Sequence, residues 1–447
     1  MQPSHPDHPV HRVIDLIAPE TQQILNMSVE EARLRVLSGD PQAVSVIHGS
    51  FALVVREGER VYLARSLDRP LRYFLAKEKD GPMLAVADRI DTLRACLEAE
   101  GHGGQFHPSY TRMVPAHHVT QLRLIGCPDP NPVHHRFFDP PRAVMPPDLD
   151  LLGRTYVEAL MSELRAWVAS IPREAPIGVL FSGGVDSGSV LLGLYRALIE
   201  AGMSPARLKG FTLAVEGGGS DLAQARHFLA ALGLDFLLEP VEVPAEAIDP
   251  LAAIEVIEDY KQRDVECAAV TLALADALRR RYPDWRYLVD GDGGDENLKD
   301  YPIEENAELT LRSVVSNRML YHEGWGVEAI KHSLTYSGGL SRGVVRGYAP
   351  LARHGFVGFS PLMRPAVIAT SEAIPFAELS QGSHERLYAL KGEIVRRGVA
   401  QVLGCEMPVF PKRRFQEGAV GSELFATRFG RHPERYRQHF LALHTPR

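Results

Sequence analysis

Residues 178–187 read Gly-Val-Leu-Phe-Ser-Gly-Gly-Val-Asp-Ser, and no other stretch limits the possible folds as much. Val179-Leu180-Phe181 is an apolar run of strand length. A helical pattern follows, with Val190, Leu191, Leu194 and Leu198 on one face and Gly202 where a C-cap belongs. Strand, glycine turn and helix make an anion cradle. Adjacent glycines let backbone N–H groups approach a phosphate, and the helix N-terminus adds partial positive charge. No Gly-Lys-Ser/Thr follows, so the loop is not of the Walker A type, and it lacks Gly-x-Gly-x-x-Gly.

A second loop of the same kind lies about a hundred residues on. The short apolar strand Tyr287-Leu288-Val289 runs into Asp290-Gly291-Asp292-Gly293-Gly294-Asp295-Glu296. Ligands of open α/β sheets bind beyond the C-terminal ends of strands, and Asp186 and Asp295 each stand just past one. Two carboxylates converging on a phosphate site suit magnesium, a hard cation that shares oxygen ligands with phosphates. The loop has neither the spacing nor the bidentate Glu of an EF-hand.

Between and around these loops the pattern alternates. Strands are predicted at 178–181, 208–215, 236–243 and 286–290, and helices at 188–201, 221–233 and 265–281. Such alternation implies βαβ units and a parallel sheet. A helix is predicted over 151–170, with Tyr156, Leu160, Leu164 and Trp167 on one face. Beyond residue 300 the pattern is mostly helical: Glu305–His322, Glu328–Ser333, Pro365–Ala373 and His384–Leu403. Phe138–Pro141 and Pro146–Asp148 bracket a stiff linker. Upstream of it, Glu30–Ser38 and Ile90–Ala99 read as helices. Residues 49–55, 61–64, 83–88 and 119–124 read as strands, the first two joined at Gly58. The first twenty residues are rich in Pro and His and read as a solvated tail.

A chain of 447 residues with 45% hydrophobic and 23% charged residues has material for roughly two or three domains. Its net charge of −7 gives no electrostatic footprint for nucleic acid. The four cysteines are isolated, which argues against a disulfide framework. No apolar run has the length of a membrane span or signal core. The expectation is a cytoplasmic protein without membrane or nucleic-acid partners.

Taken together, Ser182-Gly183-Gly184-Val185-Asp186-Ser187 and the loop at 290–296 resemble the PP-loop ATP pyrophosphatases, and among them asparagine synthetase and β-lactam synthetase. Further likenesses are Phe211–Val215 with Ser220-Asp221-Leu222, Phe359-Ser360-Pro361-Leu362, and Pro411–Gly418. Residues 21–140 resemble a truncated glutaminase domain of the N-terminal-nucleophile class, through Gly49–Ala52, Ala64-Arg65, Pro70–Phe74 and Pro115–His117. Residue 2 is Gln where that class needs cysteine, so this unit is expected to be inactive as a glutaminase.

The resemblance implies an α/β fold. It consists of an αββα relic of the Ntn-hydrolase kind over 21–140 and, over 148–447, a Rossmann-like parallel sheet of the adenine nucleotide alpha hydrolase kind with a helical C-terminal part. It implies ATP and Mg2+ as cofactors. Ser182, Gly183, Gly184 and Ser187 would hold the pyrophosphate part of ATP, and Asp186 and Asp295 the magnesium. Leu180, Val215, Asp290 and Gly291 would line the nucleotide. Lys412 would face the reacting centre, and Asp292 would be the base for an amine. The family's charged pair would fall at Val357 and Phe359, which disfavours free aspartate as the acid. The expected activity is AMP-forming coupling of a small-molecule or peptide carboxylate to an amine or ammonia, by a possible homodimer. Intramolecular closure, as in β-lactam or lasso-peptide formation, stays open. So do two readings of another class, a PP-loop tRNA-modifying enzyme and a silent binding module.

Overall fold

A computed structural model describes residues 12–78, 81–125, 131–215, 219–301, 303, 309–316, 323, 341–411, 415–430 and 433–445. The chain divides into two compact units. One comprises 1–139 with 332–340 and 441–447, the other 140–331 with 341–440.

The first unit is built on two four-stranded sheets. One carries β1 (Arg12–Asp15), β5 (Gly81–Ala87), β4 (Arg72–Glu78) and the short strand Arg112–Met113, in that order. The other is β7 (Val133–Arg136), β6 (His118–Arg123), β3 (Arg60–Arg65) and β2 (Ala52–Glu57), antiparallel throughout. Residues 12–15, read from the sequence as tail, therefore form a strand, pairing in parallel with β5 from Arg12↔Met83 onward. Their Arg-Val-Ile-Asp alternates too briefly to stand out beside the prolines.

Alternation along β2 and β3 sorts the core. Ala52, Val54, Val61 and Leu63 face the other sheet with Tyr73, Leu84 and Val86. Leu53, Tyr62 and Ala64 face α1 (Val29–Leu37) and α2 (Pro41–Ser45), meeting Ala32, Val36 and Val44. Gly58, at φ +58°, makes the tight hairpin turn between Glu57 and Arg60. On the far side α3 (Ile90–Ala99) packs on β5. The layer order is αββα, as expected. Buried Arg65 ties these layers through backbone carbonyls, donating to Val114 at 2.6 Å and to Arg69 at 2.9 Å.

The second unit holds a five-stranded, wholly parallel sheet: β10 (Leu238–Val243), β9 (Leu208–Val215), β8 (Ile177–Leu180), β11 (Tyr287–Val289) and β12 (Val357–Phe359). Helices alternate with the strands: α4 (Leu149–Ser170), α5 (Val185–Glu200), α6 (Asp221–Ala230), α7 (Pro250–Ile257), α8 (Gln262–Arg281) and α9 (Gly294–Asn297). There follow α10 (Leu311–Ser316), α11 (Ala349–Arg353), α12 (Pro365–Glu372), α13 (Phe376–Ser380), α14 (His384–Leu403), α15 (Phe415–Val420) and α16 (Ser422–Phe429). The predicted helix Glu328–Ser333 and most of Glu305–His322 lie outside the described residues. α7 and β12 were not predicted. Proline at 250 looks like a breaker but occupies the first helical turn behind the N-cap Asp249, and a three-residue strand is too short to show a period.

α5 ends as the sequence predicts. Gly202 stands at φ +63° and the Met203 N–H donates to Leu198 O at 2.8 Å, a Schellman arrangement. Ile177 and Val179 turn one face of the sheet toward α4, α5 and α14, whose Leu160, Leu164, Trp167, Leu191, Leu194, Leu390 and Ile394 share one core. The helix pair α4–α14 is closest at two glycines. A Cβ on Gly398 would collide with the carbonyl oxygen of Gly153, and one on Gly153 would lie 2.8 Å from the Gly398 nitrogen. Only hydrogen at both positions allows this approach. Gly398→Ala should therefore lower the stability of the second unit by about 1–3 kcal/mol, read as a lower denaturation midpoint. An unchanged midpoint would show that the pair can separate at no cost.

Candidate active site

The site lies at the C-terminal ends of β8, β11 and β12. Phe181–Gly184 links β8 to α5. Gly183 adopts φ +73°, and a Cβ there would stand 2.9 Å from the Ala225 nitrogen of α6. The position therefore needs glycine both for its backbone conformation and for the approach of α6. At Gly184 a Cβ would find only Ser182 Oγ within 4 Å, at 3.4 Å. Gly184 is the N-cap of a 16-residue helix and offers no capping side chain. The first N–H groups of α5 thus lack a side-chain cap, the condition for binding an anion. Ser182 Oγ and Ser187 Oγ lie 3.3 Å apart across the loop, and Gln224 donates to Ser182 O at 3.2 Å.

The second loop closes on the first through small residues. A Cβ on Gly291 would stand 2.8 Å from the Ser187 nitrogen, and one on Gly294 would overlap Asp186 Oδ1. Asp186 and Asp295 are thereby brought to one place. Lys391 of α14 lies between them, its Nζ 2.6 Å from Asp186 Oδ2, 2.5 Å from Asp295 Oδ1 and 3.4 Å from Asp300 Oδ2. Burial opposes the charge on Lys391, but the three carboxylates outweigh it and hold the ammonium well above its ordinary pKa. The sequence reading missed this lysine. It does carry a signal. Leu387, Lys391, Ile394 and Gly398 form one buried stripe of α14, and a lysine in such a stripe needs a partner.

Asp290 is structural as well as adjacent. Its Oδ1 accepts the Asp292 N–H at 3.0 Å and its Oδ2 accepts Ser360 Oγ–H at 2.9 Å, locking the loop to the end of β12. Asn297 of α9 donates to Tyr156 Oη at 3.1 Å and to Leu362 O at 2.8 Å, which fixes the helix that carries Asp295. Leu180 is half-buried at the end of β8, and Val215 is buried at the end of β9. Residues 216–218 and Lys412 lie outside the described residues. The chain after Lys412 returns to the site, where the Ser220 N–H donates to Gly418 O at 2.7 Å.

Val357 and Phe359 differ in their surroundings. Phe359 is buried and stacks on Trp167 at 4.8 Å, and Val357 belongs to the edge strand. The charge near Asp292 comes instead from residues 341–348. Arg342 pairs with Glu296 at 3.2 Å and Arg346 with Asp264 at 2.8 Å. Gly343 and Gly347 let this segment press on the acidic loop. A Cβ on Gly347 would stand 2.8 Å from Asp292 Oδ2 and 3.0 Å from Asp290 Oδ2. Nearby, burial pushes the Lys261 ammonium down to about 8, against the pull of Asp264.

Among the described residues no three His, Cys, Asp or Glu are grouped to hold a metal ion. The pair Asp186 and Asp295 nevertheless already holds a cation, the Lys391 ammonium, so the donor set fits a divalent ion whose other ligands are phosphate oxygens and water. Among the described residues no helix is long and apolar enough to cross a membrane.

Burial, and then the charge of Asp290, raise the Asp292 carboxyl well above its ordinary 3.8, against Arg346 and Arg342. A raised native value means that the folded state holds the proton more tightly than the unfolded chain. Stability is then full below 3.8 and falls as pH rises to the native value. Asp292→Asn should gain stability over the wild type at pH 8 and lose that advantage at acid pH. A difference constant with pH, in denaturant titrations, would contradict this environment for Asp292.

Residues 162–345 match the family model described as asparagine synthase. No curated protein matches the chain. The matched stretch contains the glycine loop, both aspartates and Arg342, and over these residues the chain is similar to the asparagine synthase family.

Proposed function

We propose that the protein activates a carboxylate with ATP, releasing pyrophosphate, and couples it to an amine or to ammonia with release of AMP. The family supports ATP-dependent amide ligation. The observation that carries the finer reading is the meeting of Asp186 and Asp295 at one cation position beside the uncapped N-terminus of α5. In this reading charge neutralisation would fall next to a cradle for the β- and γ-phosphates, where pyrophosphate would leave.

In this scheme a carboxylate oxygen of the substrate attacks the α-phosphorus and the bond to the bridging oxygen breaks. Ser182, Ser187 and the N–H groups of Gly183 and Gly184 hold the departing pyrophosphate. Charge developing there would be neutralised by magnesium held between Asp186 and Asp295. The amine nitrogen then attacks the acyl carbon and AMP departs with its bonding pair. Asp292 takes the amine proton, a transfer favoured by its raised proton affinity. Lys412, by its resemblance, stabilises the acyl oxyanion. Phe359 takes no part in substrate selection, because it is committed to the core.

The amine comes from solution or from the substrate itself. Among the described residues of the first unit the one cysteine is Cys96, in the middle of α3. Burial, then Glu100, raise its thiol pKa, which disfavours the nucleophilic thiolate. A basic RNA face is missing from the composition, and the retention of both aspartates with a buried lysine between them argues against a silent binding module.

Substrate-dependent exchange of labelled pyrophosphate into ATP, screened over carboxylic acids, tests the reading. Asp186→Asn and Asp295→Asn should each cut exchange by more than the roughly 10–100-fold typical of losing an outer metal partner. Wild-type exchange rates in both variants would remove the assignment.

A further inference from the structure

Lys391 occupies the position that a metal shared by Asp186 and Asp295 would take. Its ammonium touches one oxygen of each, at 2.6 and 2.5 Å. The lysine side chain is 7% exposed, whereas those of Asp186 and Asp295 are 23% and 34% exposed. The lysine thus approaches from inside the protein, and the carboxylates open to solvent. Asp300 stands behind, 3.4 Å from the same nitrogen.

Resting on the ligase reading above, we propose that Lys391 is a resident cation of the metal position, which a divalent ion displaces only when nucleotide phosphates arrive with it. Two carboxylates at one place repel, and the ammonium is what holds them there without ligand. A divalent ion alone would take the same oxygens and force two cations together in a buried site, where like charges are costly. ATP changes that balance, because its phosphates supply negative charge for both cations. The flexible four-carbon stem lets the ammonium turn from the aspartates toward a phosphate oxygen while Asp300 steadies it. Metal and nucleotide therefore bind with positive coupling, and the coupling is reciprocal. The site stays closed to free magnesium, and the acidic pair is never left bare.

The test uses manganese as the probe, followed by electron paramagnetic resonance, with the full chain and the non-cleavable analogue α,β-methylene-ATP. Lys391→Met should bind manganese alone at least tenfold more tightly than the wild type. The tightening of manganese binding by the analogue, large in the wild type, should shrink in the variant. Equal or weaker binding of manganese alone by Lys391→Met overturns the proposal. Should that variant fail to fold without metal, millimolar magnesium is expected to restore its circular dichroism and cooperative melting, and failure to restore them overturns the proposal too. The ligase reading fails separately, if the wild type does not bind the analogue in the presence of manganese. The comparison with manganese alone still decides the role of Lys391 in that case.

Discussion

Two carboxylates rooted at the ends of different strands are held together by one buried ammonium. The Asp186–Lys391–Asp295 contact joins α5, α9 and α14, three elements far apart in sequence. Much of the second unit can be understood as the support that contact needs. Gly153 and Gly398 let α14 lie close against α4, and Asn297 and Tyr156 fix α9 to the same helix. Gly291 and Gly294 clear the space in which Asp186 meets the second loop. Buried ion pairs contribute little net stability of their own, but breaking one leaves an uncompensated charge at a cost of about 3–5 kcal/mol. The arrangement therefore acts less as glue than as a constraint on where the two loops stand.

The parallel sheet explains why the chemistry gathers where it does. All five strands point the same way, so their C-terminal ends share one edge, and the loops and helix starts beyond them carry Ser182, Asp186, Asp290, Asp292 and Asp295, with Lys391 and the Arg342–Gly347 segment as exceptions. Those exceptions come from helices packed over that edge. Asp186, Asp295 and Asp300 raise the affinity of Lys391 for its proton, and burial raises that of Asp292 against the moderating charges of Arg346 and Arg342. A carboxyl that accepts a proton readily beside a phosphate cradle is a useful pairing for an enzyme that must deprotonate an amine after releasing pyrophosphate.

The loops of the site were legible in the sequence because their chemistry is local. A strand, two glycines and a helix start within ten residues define the strand–turn–helix, and its helix ends at Gly202 as the pattern requires. The αββα unit was legible through the resemblance of Gly49–Ala52, Ala64-Arg65 and Pro70–Phe74 to a glutaminase domain, although β1 was hidden among prolines. Lys391 was not legible as a site residue, because nothing near it in sequence tells what it faces 205 residues away across the core. The misreading of Phe359 has a related cause. Position relative to the Pro-Leu turn put it in the pocket, but the pleat of a three-residue strand turned it onto Trp167. Arg342 and Arg346 were missed for want of any local motif, their partners Glu296 and Asp264 lying on other elements.

The central claim is that ATP is cut between its α- and β-phosphates in the course of making an amide. Phosphorus NMR of a complete reaction, with an acid that supports exchange and an amine, tests it most directly. The account requires AMP and pyrophosphate in equal amounts, matched by amide formed. ADP and inorganic phosphate as the products would contradict it.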